Sequence, residues 1–160
     1  MKNIVLCASL NDESLDLLKD LKNSSLLEIG CGDGQVLLDS QKYFSKIFGV
    51  EPSRFNFLLA KKKNLKVKNI FMNSFTNLNE KFNFFCSFHV LEHVADIESF
   101  FEGIKNNLDD LSFGVIEVPS TEAALEHKRV GDFMPDHVNY FTVTTLAKIL
   151  LANNFEIINI

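Results

Sequence analysis

Apolar residues along this chain fall into short runs separated by polar turns, and the runs obey two different periods. Leu26 to Ile29 is a compact apolar run that passes straight into glycines, as a buried strand meeting a tight turn does. Lys46 to Val50, Asn69 to Met72, Phe82 to Phe88, Phe113 to Val118 and Phe155 to Ile160 are the further strand candidates. Phe113 to Val118 is almost continuously apolar, the mark of a strand covered on both faces. Helical spacing fills the intervals. Leu15, Leu17, Leu18 and Leu21 predict a helix over Asp12 to Leu21. A second begins near Asp33 and carries Val36, Leu37 and Leu38 toward Tyr43 and Phe44; a third runs from Ser53 to Lys63. Asp96 to Leu108 places Ile97, Phe100, Phe101, Ile104 and Leu108 on one side, and Val143 to Ala152 forms the last helix. Strands and helices alternating in this way predict an α/β fold, a doubly wound, mostly parallel sheet with helices on both faces. Ligands of such sheets bind beyond the carboxyl ends of the strands, where strand order reverses.

Composition narrows the picture. With 160 residues and 46% hydrophobic content, residues 1–160 suffice for one domain with a sizeable core, in which sixteen phenylalanines and no tryptophan supply the aromatic packing. A net charge of −5 argues against a nucleic-acid partner. The basic run Lys61 to Lys63, with Lys66 and Lys68, reads as the solvated end of a helix. Cys7, Cys31 and Cys86 support neither a disulfide framework nor a zinc knuckle, so a reduced, cytoplasmic protein is expected. Ile4 to Leu10 is too short and too soon followed by acids for a signal peptide, and no run is long enough for a membrane span.

Glu28-Ile29-Gly30-Cys31-Gly32-Asp33-Gly34 carries the chemistry. A phosphate loop would end in Gly-Lys-Ser or Gly-Lys-Thr, which is missing, and a dinucleotide loop would place a glycine at Gln35. Glu51, at the end of the second strand, can accept hydrogen bonds from both hydroxyls of a ribose. The Glu-x-Gly-x-Gly-x-Gly spacing resembles motif I of the class I S-adenosylmethionine (SAM) dependent methyltransferases. Gly49-Val50-Glu51-Pro52 resembles their second motif, and Phe88-His89-Val90-Leu91-Glu92-His93-Val94 a segment of many small-molecule members. The resemblance implies that Glu28, Gly30, Cys31, Gly32 and Gly34 surround the methionine end of SAM. It places Glu51 and Pro52 at the ribose, Asn73 and Ser74 near the adenine, and Phe88 and His89 beside the reacting methyl group. The alternative for Asn73 and Ser74 is an ordinary turn, and for His93 a cap or packing role. His89 and His93 alone offer two metal ligands without a third, so no metal is expected.

Methyl transfer to an amine, hydroxyl or carbon also requires a base, which histidine supplies near neutral pH. Pro119 to Tyr140 has the length of an active-site insertion and contains His127 and His137. Asp136-His137-Val138-Asn139-Tyr140-Phe141-Thr142 resembles a segment of sugar C-methyltransferases in which a histidine beside an acid is the base. Asp136 and His137 are thereby the expected catalytic pair, with His89, and a small polar acceptor such as a sugar or sugar nucleotide is implied. The tyrosine of those enzymes is Met134 here, and their amino-terminal zinc module has no counterpart. The alternative is that Asp136 and His137 form a turn that caps the helix near Thr142. A non-catalytic SAM-binding module and a nucleotide-dependent oxidoreductase are the competing functions; a nucleic-acid amino-methyltransferase lacks its Asp-Pro-Pro-Tyr-like run. The family sheet closes with an antiparallel strand lying between its neighbours. Here the last strand is expected to be missing, so that either the chain is a truncated piece or the sixth strand pairs with the fifth.

Overall fold

A computed structural model describes residues 3–9 and 20–159. The helix expected over Asp12 to Leu21 lies almost wholly outside the described residues. Seven strands form one sheet: β1 (Asn3–Ser9), β2 (Ser25–Ile29), β3 (Lys46–Val50), β4 (Val67–Lys68), β5 (Phe82–Phe88), β6 (Leu108–Pro119) and β7 (Glu156–Asn159). Their order is β4-β3-β2-β5-β6-β1-β7. Strands β4, β3, β2, β5 and β6 run parallel to one another. The chain leaves β2 toward β3 and β4, then returns to β2's other side with β5 and β6. Strand order therefore reverses between β2 and β5, which fixes where a ligand cleft opens.

The amino-terminal strand takes a place that periodicity had not assigned to it. β1 lies between β6 and β7 and is antiparallel to both, with Asn3 opposite Pro119 and Ser9 opposite Phe113. β7 thus does not pair with β6 directly; β1 occupies the antiparallel position between them.

Helices α1 (Gln35–Ser40), α2 (Arg54–Lys62), α3 (Ile97–Lys105), α4 (Thr121–Glu126) and α5 (Val143–Ala152) join the strands. α2 starts at Ser53, whose side chain accepts from the Asn56 N–H, and α3 at Asp96, which accepts from the Ser99 N–H. α5 carries a capping box between Thr142 and Thr145, so Asp136 and His137 are not its caps. α1 stops at Ser40, short of the expected Tyr43 and Phe44, and α3 stops before Leu108, which opens β6 instead.

The expected strand Asn69 to Met72 is corrected as well. β4 covers only Val67 and Lys68, because the Asn69 side-chain amide turns back to donate to the Glu51 and Pro52 carbonyls at 2.7 and 2.9 Å. Ile70 to Asn73 are thereby led away from the sheet edge and across the cleft. The core beneath is aromatic: Phe85 packs on Phe155 and Phe155 on Phe101, each pair with ring centroids 5.6 Å apart. All three rings are almost fully buried. Removing any one of them costs about 3–5 kcal/mol.

Candidate active site

β2 ends in a turn whose three glycines all take positive φ: 72° at Gly30, 54° at Gly32 and 80° at Gly34. That conformation disfavours side chains at each position. Packing excludes a side chain at two of them, since a Cβ on Gly30 would strike Val90 and one on Gly34 would strike Leu65. Gly32 differs. A Cβ there would meet no atom within 4 Å, so the backbone borders open space, as a loop that wraps a ligand must.

Glu51 fastens this loop to β3. One carboxylate oxygen accepts from the Gly32 N–H at 2.8 Å and the other from the Ser53 N–H at 2.7 Å. The side chain is 6% exposed, and each oxygen retains a lone pair for a second donor. Beyond it a cleft of about 760 Å³ opens over the ends of β2 and β5. Gly30, Glu51, Pro52, Asn73, His89 and Asp136 all line it, so the switch point gathers six of the expected site residues in one cavity. Its volume suits a nucleoside-sized ligand.

The remaining expected residues lie elsewhere. Gly32 and Gly34 shape the loop, and Cys31 is buried behind it under Gly49. Burial pushes the Cys31 thiol up to about 12 and that of Cys86 well above its ordinary range, so neither is a ready nucleophile. Glu28 is also behind the loop, facing Cys86 across β2 and β5. One of its oxygens is buried without a hydrogen-bond partner, and burial raises its carboxyl to about 8, with Asp33 and Glu51 adding to the effect. Ser74 bonds through its backbone and hydroxyl to Ser99 of α3, anchoring the loop after β4. Phe88 packs toward Leu26, Phe84, Cys86 and Phe113, away from the cleft.

His89 follows β5 directly with φ 55°, a conformation in which non-glycine residues are strained. Its imidazole lies between two acids, with Nε2 3.2 Å from Glu117 and Nδ1 3.4 Å from Glu92. The 3₁₀ turn Leu91–His93 follows. Four hydrogen bonds staple the segment before α5 to this turn. The Val138 and Asn139 N–H groups donate to the Glu92 carbonyl at 2.9 and 3.0 Å, and the Asn139 amide donates to Leu91 and Val94 at 3.3 and 2.6 Å. His137 is thereby held edge-on to His93, ring centroids 4.9 Å apart, beside a small hollow lined by Glu92 and Tyr140. Asp136 meets His93, its carbonyl accepting from Nδ1 at 3.0 Å and its carboxylate lying 3.7 Å from the same nitrogen. His127 lies at the end of α4, apart from this group.

Sequence reasoning missed Phe71, Ser99 and Asn139. Phe71 lines the cleft although its ring is 73% exposed, an apolar surface at a ligand-sized opening. No periodicity distinguishes it from a strand residue.

A family profile described as a methyltransferase domain matches residues 6–160. The chain is 28% identical over 101 residues to the ubiquinone biosynthesis O-methyltransferase of Bartonella tribocorum, a match covering 59% of this chain and 40% of that protein. The match therefore spans less than half the length of that curated relative. Among solved structures, YcgJ from Bacillus subtilis superposes with a TM-score of 0.68 at 17% identity, covering 89% of this chain and 68% of that one. A possible histamine N-methyltransferase from Thermotoga maritima gives 0.67 at 19% identity, covering 90% and 71%. The residues at the switch point and the family match agree: the chain belongs to the methyltransferase-domain family of the class I superfamily, whose cofactor is S-adenosylmethionine.

Proposed function

We propose that this chain transfers the methyl group of SAM to a small polar acceptor at the open end of the cleft. The observation that carries this reading is the shared cavity, which runs from the ribose-type acid Glu51, past Gly30, to His89 and Asp136. Glu51 would hold the ribose hydroxyls, the 30–34 turn the methionine end, and Phe71 with Asn73 the adenine.

Methyl transfer from a sulfonium needs in-line placement and exclusion of water more than covalent assistance. His89 stands just past β5, where the methyl group would lie, held between Glu117 and Glu92, and the acceptor's proton would pass to this carboxylate–imidazole group rather than to the imidazole alone. SAM, when bound, would supply the methyl group from its positively charged sulfur, and its transfer to the deprotonated acceptor atom would leave neutral S-adenosylhomocysteine (SAH). A sugar or sugar nucleotide is the acceptor class favoured by the Asp136 to Thr142 segment. Incubation with radiolabelled SAM and a panel of sugars, nucleotide sugars, phenols and amines tests the reading. Label transfer to a sugar-bearing acceptor is expected; saturable SAM binding with no transfer to any of them would favour a binding module.

A further inference from the structure

We propose that Glu92, His93 and His137 bind a divalent transition-metal ion at the acceptor end of the cleft. One ligand atom from each of the three lies within 4.8 Å of the others. Bonds of about 2.0–2.2 Å to a shared ion require ligand atoms roughly 3–3.5 Å apart, so closure needs shifts of about 1 Å. His93 and His137 have that freedom, since neither is fully buried.

Two features prepare the site. Glu92 is 1% exposed, and its Oε2 is buried without a hydrogen-bond partner while Oε1 faces His89. A carboxylate left so costs free energy unless a cation or a donor meets it. The second feature is the tautomer of His93. A carbonyl can only accept, so the 3.0 Å contact with Asp136 O places the proton on Nδ1 and leaves the Nε2 lone pair free. Metal-ligating histidines are oriented by this kind of outer bond. The staples from Val138 and Asn139 hold the backbone at His137 beside the other two ligands and leave its side chain to turn toward them.

Two imidazoles and one carboxylate suit zinc, cobalt, iron or manganese better than magnesium or calcium. With three protein ligands the ion keeps open positions, at the junction of the cleft and the hollow beside Tyr140. A hydroxyl oxygen of the acceptor taking one of them would ionise more readily. That consequence, unlike metal binding itself, rests on the methyl-transfer reading, and it narrows the acceptor to one with an oxygen donor near the methylated atom.

The test is titration of the metal-stripped full chain with Co²⁺ and Zn²⁺, read by calorimetry and by the visible absorption of bound cobalt. Saturable binding of one ion per chain is expected, weakened about tenfold or more in both Glu92→Gln and His137→Ala and unchanged in His127→Ala. SAH binding, measured on the same samples, reports folding separately. Absence of metal binding by chain that still binds SAH overturns the site, as does affinity indifferent to both Glu92→Gln and His137→Ala. Metal binding without SAH binding leaves the site standing and removes the methyl-transfer reading instead.

Discussion

A carboxylate oxygen of Glu51 accepts the Gly32 N–H at 2.8 Å, so the acid expected at the ribose also holds the glycine loop in its curled form. Loop order thus depends on the side chain proposed to hold the cofactor's ribose. Glu51→Ala should weaken SAH binding roughly 10–100-fold, the loss expected for hydrogen bonds to a buried charged group. Calorimetry gives the affinity, and an unchanged value would separate Glu51 from the ligand.

Phe71 lines the cleft and is 73% exposed. If adenine covers it, Phe71→Ala lowers SAH affinity about tenfold while leaving the melting temperature nearly unchanged, because little of the ring supports the fold. A large fall in melting temperature would instead make Phe71 structural.

Glu28 gives the chain a pH dependence of defined sign. Its carboxyl titrates near 8 in the folded state against an ordinary value of 4.5, so the folded chain keeps a proton that the unfolded chain releases. This favours folding fully at low pH, and the advantage is lost as pH rises between those two values, by at most about 1.4 kcal/mol per unit. Urea unfolding should show stability falling from pH 5 to about 8, and Glu28→Gln should flatten that slope. Equal slopes in the two proteins would contradict the assignment.

Asn139 holds the turn after β5 to the segment before α5 through its bonds to Leu91 and Val94. Asn139→Ala leaves those carbonyls without this donor and should cost about 1–3 kcal/mol. Limited proteolysis would then cut within residues 128–138 sooner than in the parent chain. Unaltered cleavage and stability would mean that other contacts hold the segment.

The parallel strands were legible because burial on both faces writes an almost continuous apolar run, interrupted in Phe113 to Val118 by Glu117 alone. The glycine turn was legible because positive φ at alternate positions admits few other residues. β1 was not, since a short strand with five apolar residues does not reveal which strand it will join. Asn69 to Met72 misled for a related reason: the pattern of a strand was present, but a side-chain amide diverted the backbone. The site divides in the same way. Residues at strand ends, such as Glu51 and His89, follow from topology. The meeting of His93 with His137 depends on hydrogen bonds between segments far apart in sequence, and a local pattern carries no record of them.

Calorimetric titration of the folded chain with SAH addresses the cofactor cleft without need of an acceptor. Saturable binding of one SAH per chain, sharply weakened in Glu51→Ala, is the predicted result. A well-folded chain that takes up no SAH would contradict the account.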